Sequence, residues 1–175
     1  LYDIEKLTFF RACECYEELE AAGKLDADAL IFVNSIASVS LSDEDWASYC
    51  EAHSAILPKL VVEITEEEEM NERELERKRN VPGSSGVFAL DDYGSGYSNG
   101  NSLLTIAPKY VKVDIAIIRG IDTDADKQQF LMTLIDYAHP RGVQVLAEGV
   151  ETLSELRKVL SLIHISEPTR LDVIS

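Results

Sequence analysis

Two aspartates stand side by side in Phe88-Ala89-Leu90-Asp91-Asp92-Tyr93-Gly94-Ser95-Gly96-Tyr97, directly after an apolar run that reads as a buried strand. A buried carboxylate is rarely tolerated alone, because removing its water is expensive. Two in succession repel each other unless a cation, most simply a divalent metal, lies between them. The plainer alternative is a polar exit from strand to loop. Consecutive strand residues face opposite ways, so Asp91 and Asp92 share a site only where the strand ends and the chain turns. Gly94 and Gly96 are expected to permit that turn.

Other polar residues occupy comparable positions. Asn34 follows the apolar run Ala29-Leu30-Ile31-Phe32-Val33. Glu63 interrupts Leu60-Val61-Val62-Glu63-Ile64-Thr65-Glu66, where a lone charge is out of place. Lys112 and Asp114 lie in Tyr110-Val111-Lys112-Val113-Asp114-Ile115, and Glu148 follows Val143-Gln144-Val145-Leu146-Ala147. Hard cations want several oxygen ligands, and strand-end carboxylates with one Asn amide supply them. Each residue also has a bland reading. Asn34 fits a turn, Glu63 an ion pair, and Lys112 a side chain snorkelling to water or a Schiff-base nucleophile. The Gly-Ser-Gly turn is too common to indicate a phosphate cradle. His53, His139 and His164 lack ligand spacing and read as bystanders.

The elements that would position these residues alternate. Residues 3 to 22 read as a helix with Leu7, Phe10, Tyr16 and Leu19 on its apolar side and Gly23 as its stop. The strand at 29 to 33 reads as buried on both faces. Ser42 with Asp45 resembles a capping box for a helix over 43 to 55 that Pro58 closes. After the strand carrying Glu63, residues 67 to 79 read as a solvated helix with Glu69–Arg73 and Glu74–Lys78 pairs. Residues 98 to 107 hold a short helix ended by Pro108. Residues 124 to 138 form an amphipathic helix with Phe130, Leu131, Leu134, Ile135 and Ala138 on one face. Thr152 with Glu155 caps a helix starting at 153. Strand and helix in alternation predict a parallel sheet with right-handed crossovers. The polar residues then gather at the strands' C-terminal edge, where active sites of (β/α) barrels sit.

The chain has 175 residues, 46% hydrophobic and 27% charged, which suits one domain with a real core. Its formal charge of −16 argues against a nucleic-acid polymer or an anionic membrane as partner, since both call for basic patches. A small phosphate ligand remains compatible, because a metal can supply positive charge. No apolar run is long enough to span a membrane, and no signal peptide is visible. Cys13, Cys15 and Cys50 are an odd set without ligand spacing. They read as free thiols in a reducing compartment, hence a cytoplasmic location.

Five motifs in order carry a family resemblance: Phe32-Val33-Asn34-Ser35, Val62-Glu63-Ile64-Thr65-Glu66, Ala89-Leu90-Asp91-Asp92-Tyr93-Gly94-Ser95-Gly96-Tyr97-Ser98, Val111-Lys112-Val113-Asp114 and Leu146-Ala147-Glu148-Gly149-Val150-Glu151-Thr152. Together they resemble the EAL domain, the bacterial cyclic-di-GMP phosphodiesterase fold. The resemblance implies a TIM-like (β/α) barrel and hydrolysis of one phosphodiester bond of cyclic-di-GMP to the linear dinucleotide, with two Mg²⁺ or Mn²⁺ ions at the phosphate. By match, Asn34, Glu63, Asp91, Asp92, Asp114 and Glu148 are metal ligands, with Glu148 also completing the water network. Lys112 orients or activates the water and offsets charge. Glu66 holds the loop after the aspartate motif, and Glu151 supports the ligands from behind. A homodimer is compatible with the family. A non-catalytic cyclic-di-GMP receptor is the alternative, although degenerate receptors lose ligands that are all visible here.

The chain departs from the family pattern at both ends. The Glu-Ala-Leu motif would precede Leu1, and the late Gln-Gly segment is absent. Only five strands are visible, where a full barrel needs eight strands and about 250 residues. Residues 1–160 therefore read as a partial EAL domain, expected to be inactive by itself and to expose unpaired strand edges. The segment Leu160-Ser161-Leu162-Ile163-His164-Ile165-Ser166-Glu167-Pro168-Thr169-Arg170 resembles a translated sequencing adapter, so residues 161–175 are expected to be a non-native tail.

Overall fold

The computed structural model describes residues 1–66, 71–96 and 101–166, the last three of them by backbone alone. The chain divides into two compact units, Leu1–Ala89 and Leu90–Ser175. All five expected strands form: β1 (Ile31–Asn34), β2 (Leu60–Thr65), β3 (Val87–Tyr93), β4 (Tyr110–Val113) and β5 (Gln144–Ala147), in sheet order β1-β2-β3-β4-β5. β3 contributes its first residues to one unit and its last to the other.

In the first unit, helix α1 (Tyr2–Ala21) buries Glu5, Phe9, Cys13 and Tyr16, a near-helical spacing. This corrects the expected apolar face, because Leu7 is 62% and Leu19 is 42% exposed. A charged residue, Glu5, takes a core position there, which no hydrophobic pattern anticipates. Helix α2 (Asp43–Ala52) starts as expected, with the Asp45 amide donating to Ser42 Oγ at 3.1 Å. Its Trp46 and Tyr49 meet Phe9 edge to face. The helix stops at Ala52, short of residue 55, because His53 leaves helical geometry (φ −121°). Pro58 sits instead in a 3₁₀ turn, Leu57–Lys59, that leads into β2.

β1 and β2 pair in parallel with Val33 opposite Val62 and Asn34 opposite Glu63. β2 is buried from Leu60 to Ile64. β1 is not buried on both faces, since Val33 alone is buried and Leu30, just before the strand, is 43% exposed. β1 lies at an edge of the strand order, which explains that exposure. Helix α3 (Glu72–Arg79) is capped by Asn71 Oδ1, which accepts from the Arg73 amide at 3.1 Å. It is not solvated all round: Leu75 and Lys78 are buried. Glu74 pairs with Arg77 at 3.5 Å, and Lys78 with Glu5 at 2.8 Å. The expected helix start at 67 and Glu69 of the other pair lie outside the described residues.

In the second unit, β4 and β5 pair in parallel, with Lys112 opposite Leu146 and Val113 opposite Ala147. Helix α4 (Asn101–Ile106) realises the expected short helix, whose beginning, with Tyr97 and Ser98, lies outside the described residues. A single helical turn that sequence did not suggest, α5 (Ile115–Ile118), follows β4. Helix α6 (Ala125–Ala138) buries Leu131, Leu134, Ile135 and Ala138, while Phe130 is half-buried with its ring 6.0 Å from that of Tyr93. Helix α7 (Leu153–Ser166) crosses residue 160 without a break and buries Val159 and Leu162. The remainder of the expected tail, 167–175, and the His164 side chain lie outside the described residues. No described helix is long and apolar enough to cross a membrane.

Candidate metal centre

β3 does not stop at its two aspartates but runs through them to Tyr93. Alternation along an unbroken strand would send the two carboxylates to opposite faces. Asp92 breaks it by adopting a left-handed backbone, φ 55°, a region that Asp tolerates better than most residues. Gly94 follows at φ 96°, and a Cβ there would stand 2.8 Å from Ile117 Cγ1. The turn therefore rests on Asp92 and Gly94. Gly96, expected to share that role, has no positive φ and open space around it.

Backbone hydrogen bonds fix the strand ends. The Asp114 amide donates to Tyr93 O at 3.0 Å, and the Glu148 amide to Val113 O at 3.1 Å. These bonds hold the exits of β3, β4 and β5 together within the second unit. Asp91, Asp92 and Glu148 consequently each present a carboxylate oxygen within 4.8 Å of the others. Lys112, from β4, reaches Asp91 Oδ1 at 2.8 Å and Glu148 Oε1 at 2.9 Å. Asp91 is 9% exposed. Burial, then the negative charges of Asp91, Asp114 and Glu148, push the Asp92 carboxyl above its ordinary value, with Lys112 acting in the opposite direction. The cluster thus holds more negative charge than its one lysine relieves. Oxygen donors alone, converging from strand ends, suit a hard divalent cation.

Asp114 lies outside that trio. Its Oδ1 accepts from the Ala116 amide at 2.7 Å and caps α5, while its charge still acts on Asp92. Glu151 pairs with Arg119, whose guanidinium holds the Glu151 carboxyl below its ordinary value. Behind it, buried Glu155 accepts from the amides of Gly120, Glu151 and Thr152, at 2.9, 3.1 and 3.0 Å. Thr152 Oγ1 accepts from the Glu155 amide at 3.2 Å, completing the expected capping box. The Gly120 bond, then the Glu151 and Thr152 amides, bring the Glu155 carboxyl down to about 2.

In the first unit, Asn34 and Glu63 share a register level, and the Ser35 amide donates to Glu63 O at 2.9 Å. Asn34 is exposed, while Glu63 and Glu66 are 6% and 7% exposed. Sequence reasoning missed Glu5 and Lys78, which meet at the residues directly after Asn34. The available signal was Lys78 three residues after Leu75, the one apolar residue of α3.

A family model, EAL domain, matches residues 3–163. A probable cyclic di-GMP phosphodiesterase, PdeG of Escherichia coli, is 34% identical over 99 residues, covering 55% of this chain and 20% of PdeG. The cyclic di-GMP phosphodiesterase PdeB of Shewanella oneidensis is 28% identical over 139 residues, 76% of this chain and 16% of PdeB. The chain thus spans a fifth or less of the length of these two relatives. Among solved structures, the manganese/cy-diGMP complex of Klebsiella pneumoniae BlrP1 matches with TM-score 0.77 and 23% identity, covering 91% of this chain and 42% of that one. The EAL domain of Mycobacterium smegmatis DcpA matches with TM-score 0.74 and 22% identity, over 91% of this chain and 73% of that one. These likenesses establish the fold class, α/β of the TIM-like barrel type, of which five strands are seen among the described residues.

Proposed function

This chain belongs to the EAL domain family, and on that premise we propose that it forms part of a metal-dependent phosphodiesterase opening cyclic-di-GMP to the linear dinucleotide. The observation that carries the proposal is the convergence of Asp91, Asp92 and Glu148 with Lys112 bound between two of them. Asp91, Asp92 and Glu148 would hold divalent cations. Asn34, Glu63 and Asp114 take ligand roles by the family resemblance. Two bound Mg²⁺ or Mn²⁺ ions would neutralise the substrate phosphate and make water a stronger nucleophile. Lys112, anchored on Asp91 and Glu148, presents a fixed positive charge that orients the attacking water and offsets charge on the phosphate. Glu66, buried at the exit of β2, takes by the family resemblance the role of a glutamate that holds the loop after the aspartate motif. Glu151 acts from behind, through its backbone bond to Glu155. The surplus acidity of the chain leaves substrate binding to the metals, and the free thiols of Cys13, Cys15 and Cys50 support a reading of the cytoplasm as its compartment. Pairing as a homodimer is compatible with this reading.

The test is hydrolysis of cyclic-di-GMP by the full-length parent with Mg²⁺ or Mn²⁺, resolved by chromatography of the products. Asp91→Ala and Glu63→Ala should each lower turnover by about 10²–10³-fold, the scale for losing one electrostatic stabiliser. Full activity in both variants would overturn the assignment. Binding of cyclic-di-GMP with no turnover in the parent would mark a receptor instead.

A further inference from the structure

Glu5 and Lys78 are each 1% exposed, a charged pair buried in the first unit and 2.8 Å apart. Buried pairs of this kind are weak stabilisers, often replaceable by apolar residues. The partners of this one are concentrated on two consecutive residues. Ser35 Oγ donates to Glu5 Oε1 at 2.7 Å and accepts from Lys78. The Ile36 amide donates to Glu5 Oε2 at 2.9 Å, and Ile36 O accepts from Lys78 at 2.6 Å. With the Ser35 amide on Glu63 O, the amides of Ser35 and Ile36, the Ser35 hydroxyl and the Ile36 carbonyl are all held. Asn34, immediately before them, is exposed. α1 and α3 therefore reach across the unit to fix the chain where it leaves β1.

We infer that Glu5 and Lys78 are positioning residues for Asn34, clamping Ser35 and Ile36 so that the Asn34 amide leaves β1 in one direction. The inference rests on the proposed role of Asn34 as a metal ligand. Outer groups that orient ligands typically change metal affinity by about 10–100-fold when removed.

The experiment measures Mn²⁺ affinity of the full chain by calorimetry for Ser35→Ala, the double variant Glu5→Gln/Lys78→Met, Asn34→Ala, and Asn34→Ala combined with each. Circular dichroism confirms that each variant is folded. The first two should bind Mn²⁺ about 10–100-fold more weakly, and adding Asn34→Ala should cost little more, because all act through one ligand. A merely structural pair would give additive losses or none. If the double variant fails to fold, Ser35→Ala carries the test. Unchanged affinity in both clamp variants beside weakened Asn34→Ala overturns the clamp alone. Unchanged affinity in Asn34→Ala removes the ligand role of Asn34 and the clamp with it, whereas Asp91→Ala tests the carboxylate cluster independently.

Discussion

The Lys112 ammonium stands 2.8 Å from Asp91 Oδ1 and so places a fixed positive charge inside a cluster of carboxylates. It both stabilises that cluster without metal and competes with an incoming cation. Lys112→Met should therefore separate two properties that a simple loss of structure would lower together. Mn²⁺ affinity of the chain should rise by roughly tenfold, about 1.4 kcal/mol, while cyclic-di-GMP turnover by the parent collapses. Calorimetry and product chromatography on the same variant check both. Weakened metal binding would contradict the competing role.

Asp92 lets neighbouring carboxylates converge through its left-handed backbone, φ 55°. Asn tolerates that conformation and carries no charge, so Asp92→Asn should match or exceed the metal-free stability of the native chain. Asp92→Val should lose about 1–2 kcal/mol from the backbone alone. Both should weaken Mn²⁺ binding. Urea unfolding in chelator, compared with Mn²⁺ titration, separates backbone strain from ligand loss.

Removing one member of the buried pair should be worse than removing both. Lys78→Met leaves Glu5 charged in the core and should cost about 3–5 kcal/mol. Glu5→Gln in the same chain should recover much of that, because the stranded charge is gone. Equal destabilisation in the single and double variants, by chemical denaturation, would show that the charges are not coupled.

The strand ends were legible in the sequence because buried apolar runs broken by carboxylates have few physical explanations. Asn34, Glu63, Asp91, Lys112 and Glu148 all fall at or near the exits of real strands, β1 to β5. What was not legible depends on tertiary choice. Lys78 on a highly charged helix looks solvated until Glu5, 73 residues away, is seen to meet it. The backbone of Asp92 is likewise invisible, since Asp occupies both strand and left-handed geometry, and sequence spacing favoured the glycines. The buried face of α1 is hard to read from a hydrophobic pattern because one of its four core positions is a carboxylate, Glu5, beside Phe9, Cys13 and Tyr16.

Gly149 holds Glu148 in place by lacking a side chain. Its φ is 67°, and a Cβ there would stand 2.4 Å from Ile115 Cγ1. Gly149→Ala should thus strain the backbone and push Ile115 or Glu148 away, weakening Mn²⁺ binding and lowering the melting temperature. Gly149→Ala with Ile115→Ala should restore only part of the loss, because the clashes with Ile115 Cγ1 and Cδ1 are removed while its Cβ, 2.9 Å away, and the left-handed backbone remain. Full restoration would assign the effect to crowding alone.

Glu155 gives this chain a defined acid dependence. Its carboxyl falls from an ordinary 4.5 to about 2 in the folded state, first because the Gly120 amide donates to it and then through the Glu151 and Thr152 amides. Above about pH 4.5 the group is charged in both states and its full stabilisation is present. As pH drops below that, the unfolded chain takes up the proton first, so folding stability declines until the folded group protonates near pH 2. Glu155→Gln keeps a capping side chain but removes the titration. Urea unfolding of the variant at successive pH values should show a shallower fall between about 4.5 and 2 than the native chain, and lower stability near neutrality. Identical slopes in the two proteins would mean that this carboxylate does not anchor α7 to the turn at Gly120.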